Sequence, residues 1–373
     1  MENTELHYIT IKGFKSIASV EKLELRPINV VIGPNGSGKS NFIGVFSFLH
    51  SVREGKLQDY VRQNGGADQV LHFGSKITES LSIEIAFRNG VNQYHLKLNP
   101  TSDDSLYPSH ETVSFWDKNK YAEPYTEALF PLENGREAGI SSELVKRITD
   151  WVRTRLGRWR LYHVHDTSKN SPMRKTSNVN DHSFLRPDGS NLPAFLYFLK
   201  IKHPDSYNMI RSSVQKVAPF FDDFILEPDQ LNEDSIRLIW KHKQSDKYFD
   251  ASSLSDGTLR FIALTTLFLQ PRAYKPSVIL VDEPELGLHP KAITLLAALV
   301  KQASVETQVI LSTQSPQLLD NFDPEDVLVV DRVNGGTSFT RLNTEQLGEW
   351  LDDYSLGQLW EKNELGGRPK IEG

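Results

Sequence analysis

The stretch Gly33-Pro-Asn-Gly-Ser-Gly-Lys-Ser40 leaves this chain little choice of fold. It follows the run INVVI, apolar but for Asn29, and precedes NFIGVFSFLHSVREG, whose apolar residues recur at helical spacing. Strand, glycine-rich loop and helix, in that order, is the context a phosphate loop requires. Glycines let backbone N–H groups close around a phosphate that a Cβ would hold off. The helix then turns its N-terminal partial positive charge onto the same anion. Gly33, Pro34, Asn35, Gly36, Ser37, Gly38, Lys39, Ser40 and Asn41 are therefore the expected phosphate-binding residues. Lys39 is placed to neutralise terminal phosphate oxygens, and Ser40 to ligate Mg2+ through its hydroxyl.

A second buried strand, VILVDEPE, ends in adjacent carboxylates. Asp282 is expected to complete the Mg2+ shell and Glu283 to polarise an attacking water. Phosphoryl transfer needs little more than positioning and charge stabilisation. Strand ends are often acidic, so the phosphate loop gives this pair its meaning. A third stretch, ASSLSDGTLRF (251–261), puts Ser255 before a long apolar helix. It reads either as an ordinary capped helix or as a second anion site.

The remaining pattern organises these pieces. HYITIKGFKSI alternates like an edge strand, and SLSIEIAF, YHLKLN and ETVSFW read as a short antiparallel sheet. A helix is expected over about 141–157, then the strand WRLYHVH, a long polar loop, and two helical patterns beginning near 192 and 206. SIRLIWKHK reads as a strand, PKAITLLAALVKQA as a helix and TQVILSTQS as a third buried strand. The predicted fold is α/β: a parallel core sheet assembled from both ends of the chain, an antiparallel β subdomain, and a helical insertion. The expected divisions are 1–165, 166–249 and 250–370, with 371–373 a tail.

Among 373 residues, 38% are hydrophobic and 24% charged, which suits a soluble globular chain. The absence of cysteine excludes disulfides and zinc fingers and fits a cytoplasmic setting. No apolar run is long enough to span a membrane, and the N-terminus lacks a signal-peptide pattern. A net charge of −6 argues against a generic nucleic-acid binder, but residues 146–175 hold nine Lys and Arg against two Asp. That segment is either a DNA or partner contact or a solvated face.

The phosphate loop, Leu254-Ser-Asp-Gly-Thr258 and Val281-Asp-Glu-Pro-Glu285, in this order, resemble the ABC-type ATPase head. IKGFKSI and GPNGSGKSN resemble its SMC and RecF branch. The 215 residues from Lys39 to Leu254 suit an arm-less, RecF-like member. The resemblance implies ATP and Mg2+, with two heads packing head-to-tail as a homodimer or higher even oligomer. It implies that Leu254, Ser255, Asp256, Gly257 and Thr258 act on the partner's nucleotide as a signature. Leu286, Gly287 and His289 would form a D-loop, His289 reading equally well as a helix-cap neighbour. Where the family usually has a His after the last core strand, this chain has Gln314, which cannot carry charge. Lys39, Glu283 and Gln314 are then the catalytic set, with either slow hydrolysis or reliance on Glu283 alone expected. The Q-loop position falls to Gln69 or, preferably, to His165 or Asp166. Lys15 and Ser16 either touch the nucleotide or belong to a plain strand end. Such relatives occur in DNA repair and anti-phage defence, so DNA or a separate nuclease or toxin effector is an expected partner, and no membrane. About forty residues follow Val330, too few for a C-terminal nuclease domain, so nuclease activity is expected of a partner.

Overall fold

Apolar runs far apart in sequence meet in two sheets. The computed structural model describes residues 5–133, 135–143, 147–348 and 350–366. The tail 371–373 and Lys146 of the basic segment lie outside them. The chain begins with strands β1 (Leu6–Phe14), β2 (Ile17–Glu24) and β3 (Ile28–Ile32). Helices α1 (Lys39–Arg53), α2 (Leu57–Gln63) and α3 (Ala67–Val70) follow. Strands β4 (Leu81–Phe87), β5 (Asn92–Pro100), β6 (Leu106–Phe115) and β7 (Tyr125–Ala128) come next. They join the first two strands in an antiparallel sheet of order β2-β1-β4-β5-β6-β7. The expected edge strand β1 is thus interior: it pairs with β2 on one side and β4 on the other, and β2 takes the edge. Alternation alone does not separate an edge from an interior position in a sheet with one wet face.

Helix α4 (Arg147–Leu156) leads into β8 (Trp159–Tyr162). The insertion that follows is mixed rather than all-helical. It carries β9 (Ser177–Asn178), α5 (Leu192–Lys202), α6 (Pro204–Val217), β10 (Phe221–Ile225), β11 (Ser235–Ile236), β12 (Ile239–His242) and β13 (Tyr248–Asp250). β10, β12 and β13 form a small antiparallel sheet, and β9 pairs with β11.

The C-terminal part supplies α7 (Asp256–Leu269), β14 (Val278–Asp282), α8 (Pro290–Ser304), β15 (Gln308–Thr313), α9 (Pro316–Leu319), β16 (Val327–Val333) and β17 (Gly336–Arg341). The second sheet has the order β17-β16-β3-β15-β14-β8. All its pairings are parallel except the β16–β17 hairpin. Its strands are apolar on both faces because both are covered. Ile28, Val30 and Ile32 of β3, with Ile279 and Val281 of β14, face one core shared with α7, α8 and the insertion. Val31, Val278, Leu280 and Ile310 face the other, shared with α1 and the antiparallel sheet. Gln308 locks the two sheets together: its amide pairs with both the N–H and the C=O of Leu6, each at 2.9 Å. No helix of the described residues is long and apolar enough to cross a membrane.

Candidate active site

The central position of β3 puts the phosphate loop at its C-terminal end, beside the ends of β14 and β15. The loop is closed by contacts that only glycine permits. A Cβ on Gly33 would sit 2.3 Å from the Val330 carbonyl oxygen, and one on Gly38 would sit 2.2 Å from Thr337 Oγ1. Gly38 also has φ 112°, which L side chains rarely adopt. Helix α1 starts at Lys39 without any side chain capping its first N–H groups. Ser37 Oγ is buried and has no partner. Lys39 is itself buried, and its ammonium donates to the carbonyls of Gly33 (2.6 Å) and Pro34 (3.1 Å). Burial holds this ammonium below its usual range, although Glu283, Asp282 and Glu285 pull the other way. An uncapped helix start, an orphaned hydroxyl and a cation with only loop carbonyls as partners fit a polyphosphate.

Ser16 and Asn41 join the loop's underside: Asn41 Nδ2 donates to Ser16 Oγ at 2.7 Å. Thr337 on β17, which sequence reasoning missed, lies 2.7 Å from Ser16 Oγ and 2.9 Å from the Ser37 carbonyl. Lys15 is directed elsewhere. Its ammonium donates to Asn64 Oδ1 at 2.9 Å and lies over the Phe14 and Tyr60 rings.

The acidic strand end is arranged by β15. Ser312 Oγ donates to Asp282 Oδ1. Glu283 sits at φ 40°, a conformation that costs a non-glycine residue on the order of 1–3 kcal/mol. Its N–H donates to the Ser312 carbonyl at 2.9 Å, and the Gln314 amide Nε2 donates to its carboxylate. Thus Gln314 does reach the proposed catalytic carboxylate. Glu285, not singled out from sequence, is also buried here. Its Oε1 accepts from Thr313 Oγ1 and from the Gln314 N–H (3.4 Å), and its Oε2 has no partner. Burial pushes this carboxyl up.

Ser255 is the N-cap of α7: its Oγ accepts from the Thr258 N–H at 3.1 Å. The turn is packed against the loop after Glu285, since a Cβ on Gly257 would lie 2.3 Å from the Gly287 carbonyl. The two stretches singled out on either side of β14 therefore form one ridge. Leu286 is exposed on it. His289 caps α8, its Nδ1 accepting from the Lys291 N–H at 3.3 Å.

Of the Q-loop alternatives, His165 feels Asp282 and Glu283 electrostatically. Burial keeps its imidazole below the usual range against their pull, and its Nδ1 is buried without a partner. Asp166 is exposed and accepts from the Ser168 N–H. Gln69 is exposed on α3. Several described side chains of the basic segment are engaged within the chain. Arg155 pairs with Glu5 (2.9 Å), Arg160 donates to the Gly157 and Trp159 carbonyls, Arg174 turns inward onto residues 251–256, and Trp159 is core.

A phosphate loop on the central strand, a carboxylate pair on β14 and a capped turn packed on the following loop define an ABC-type ATPase head of the SMC and RecF-like branch. The chain belongs to the family described as "AAA domain, putative AbiEii toxin, Type IV TA system", whose model matches residues 28–320. The chromosome partition protein Smc of Mycolicibacterium paratuberculosis is 32% identical over 112 residues, which cover 24% of this chain and 9% of that protein. An Smc head bound to the C-terminal winged-helix domain of ScpA superposes with a TM-score of 0.59 at 17% identity, covering 92% of this chain and 99% of that one. A Pyrococcus furiosus Smc head with an extended coiled coil, bound to the C-terminal domain of ScpA, gives 0.57 at 16% identity, covering 94% and 99%. These likenesses establish the fold.

Proposed function

We propose that the chain binds and hydrolyses ATP and that two copies pair head-to-tail around two nucleotides. Residues 33–41 would hold the phosphates, and Ser40 and Asp282 a Mg2+ ion, which supplies charge neutralisation. Glu283 would polarise the attacking water while Gln314 orients its carboxylate. The observation that carries this reading is the ridge of Gly257 on Gly287. It puts the helix start of α7 and the loop after the carboxylates on one surface, suited to meet the nucleotide of a second copy. Closure and reopening would then control DNA or a separate effector in the cytoplasm, in genome maintenance or anti-phage defence.

The Gln314 amide on Glu283 also supports a second reading, a slowly turning, ATP-held scaffold that regulates a partner nuclease or toxin. In that case Gln314→Ala raises the turnover rate; in the first it lowers it.

The test compares solution mass and turnover of wild type and Glu283→Gln, with and without ATP and Mg2+. Turnover should fall about a hundredfold or more in the variant, and an ATP-dependent pair should accumulate. Unchanged turnover, or a mass of one copy under all conditions, contradicts the proposal.

A further inference from the structure

Arg174 belongs by sequence to the basic segment, yet its side chain is only 7% exposed. Its guanidinium donates to four groups. Nε reaches the Thr167 carbonyl at 3.0 Å, and Nη1 the Ala251 carbonyl. Nη2 reaches the Leu254 carbonyl at 3.2 Å and Asp256 Oδ1 at 2.8 Å. Three of these acceptors lie in the turn that opens α7. A second guanidinium stitches the same two segments in the opposite direction. Arg260 of α7, itself buried, donates to the carbonyls of Val164 (3.0 Å) and His165 (2.8 Å). Residues 164–174 are thus fastened at both ends onto the start of α7.

The charges are unevenly placed. The Asp256 side chain is 68% exposed at the first turn of α7, while the cation that balances it is buried behind it. A bare carboxylate there would repel any phosphate brought to the turn. A planar guanidinium can neutralise it and hold two backbone carbonyls at once, which an ammonium cannot do in the same geometry.

We propose that Arg174 is a positioning residue for head pairing, fixing the 251–256 turn and neutralising Asp256 so that the turn can approach the phosphates held by a second copy. This rests on the reading of residues 254–258 as acting in trans. All four acceptors of Arg174 lie outside the phosphate loop, so ATP binding by the single chain is expected to be independent of it.

The experiment uses the full chain in a Glu283→Gln background, with ATP and Mg2+. Pairing is followed by sedimentation, and binding by a fluorescent ATP analogue on the dilute single chain. Arg174→Gln should keep ATP affinity and require about tenfold more protein to pair, equivalent to about 1.4 kcal/mol. Adding Asp256→Asn to it should recover much of that loss, because the uncompensated carboxylate is gone. A role in folding alone would not produce that recovery. Asp256→Asn by itself, a change at an exposed side chain, should pair at least as tightly as the parent. Unchanged pairing in Arg174→Gln, no recovery in the double variant, or tenfold weaker pairing in Asp256→Asn would overturn the proposal. A Glu283→Gln parent that never pairs with ATP would instead remove the trans reading, and this inference with it.

Discussion

Two helices of this chain begin at turns that are candidate anion sites, and they are finished differently. Helix α1 follows Gly38 and has no side chain on its first N–H groups. Helix α7 follows Ser255, whose hydroxyl already satisfies one of them. The first start takes no cap from its own N-terminal residue. The second is complete as a helix, and its exposed Asp256 is balanced from behind by Arg174. A helix start left open to an anion and one closed by its own cap differ in what they need: the former a bound phosphate, the latter only a surface that fits it. On the proposed head-to-tail pairing, the contrast accounts for one chain carrying two such turns without two complete sites.

The comparison breaks first at Lys39. Lys39→Met should lower the chain's own ATP affinity by about a hundredfold, equivalent to about 2.7 kcal/mol, as read by a fluorescent nucleotide. If the ammonium were only a brace for the Gly33 and Pro34 carbonyls, stability would change and affinity would not. Thr337→Val should follow with a smaller effect. It removes the hydroxyl shared between Ser16 and the Ser37 carbonyl and should cost about 1 kcal/mol of stability. A several-fold loss of ATP affinity should accompany it, and unchanged affinity would mean that the loop holds its shape without β17. Ser255→Ala should have the smallest effect on the single chain. Loss of the cap lowers stability by about 1 kcal/mol, a small shift in thermal midpoint, while its own ATP affinity stays the same. A fall in that affinity would mean that the two starts serve one nucleotide.

The sequence-visible parts of the site are those whose residues are neighbours along the chain. Residues 33–41 and 278–285 each carry strand, turn and ligand group in one stretch, so local periodicity and glycine spacing reveal them. Thr337 was hidden because it meets Ser37 across 300 residues, and a lone Thr in a hairpin carries no signal. Arg174 was counted as part of a charged run because burial does not show in a polar, turn-rich segment. Glu285 could have been found as the third carboxylate of VDEPE, but only the closeness of β15 shows that it grips Thr313 and Gln314. In the fold, β3, β14 and β15 were legible from their mostly apolar runs, whereas β16, which pairs in parallel with β3, was not read as a strand. Of the insertion's sheet, β12 was legible within SIRLIWKHK, but β13 is three residues long, too short for alternation to register. The interior place of β1 depends on pairing with β4, about seventy residues away, which no local pattern encodes.

The central claim is that residues 254–258 serve the nucleotide of another copy. It is tested by mixing two inactive variants, Lys39→Met and Ser255→Arg, at high protein concentration and measuring ATP turnover. A mixed pair holds one intact composite site, made from the phosphate loop of the Ser255→Arg copy and the turn of the Lys39→Met copy. The account predicts turnover in the mixture that neither variant shows alone. A mixture no more active than the sum of its parts, from variants that still form mixed pairs, would contradict it.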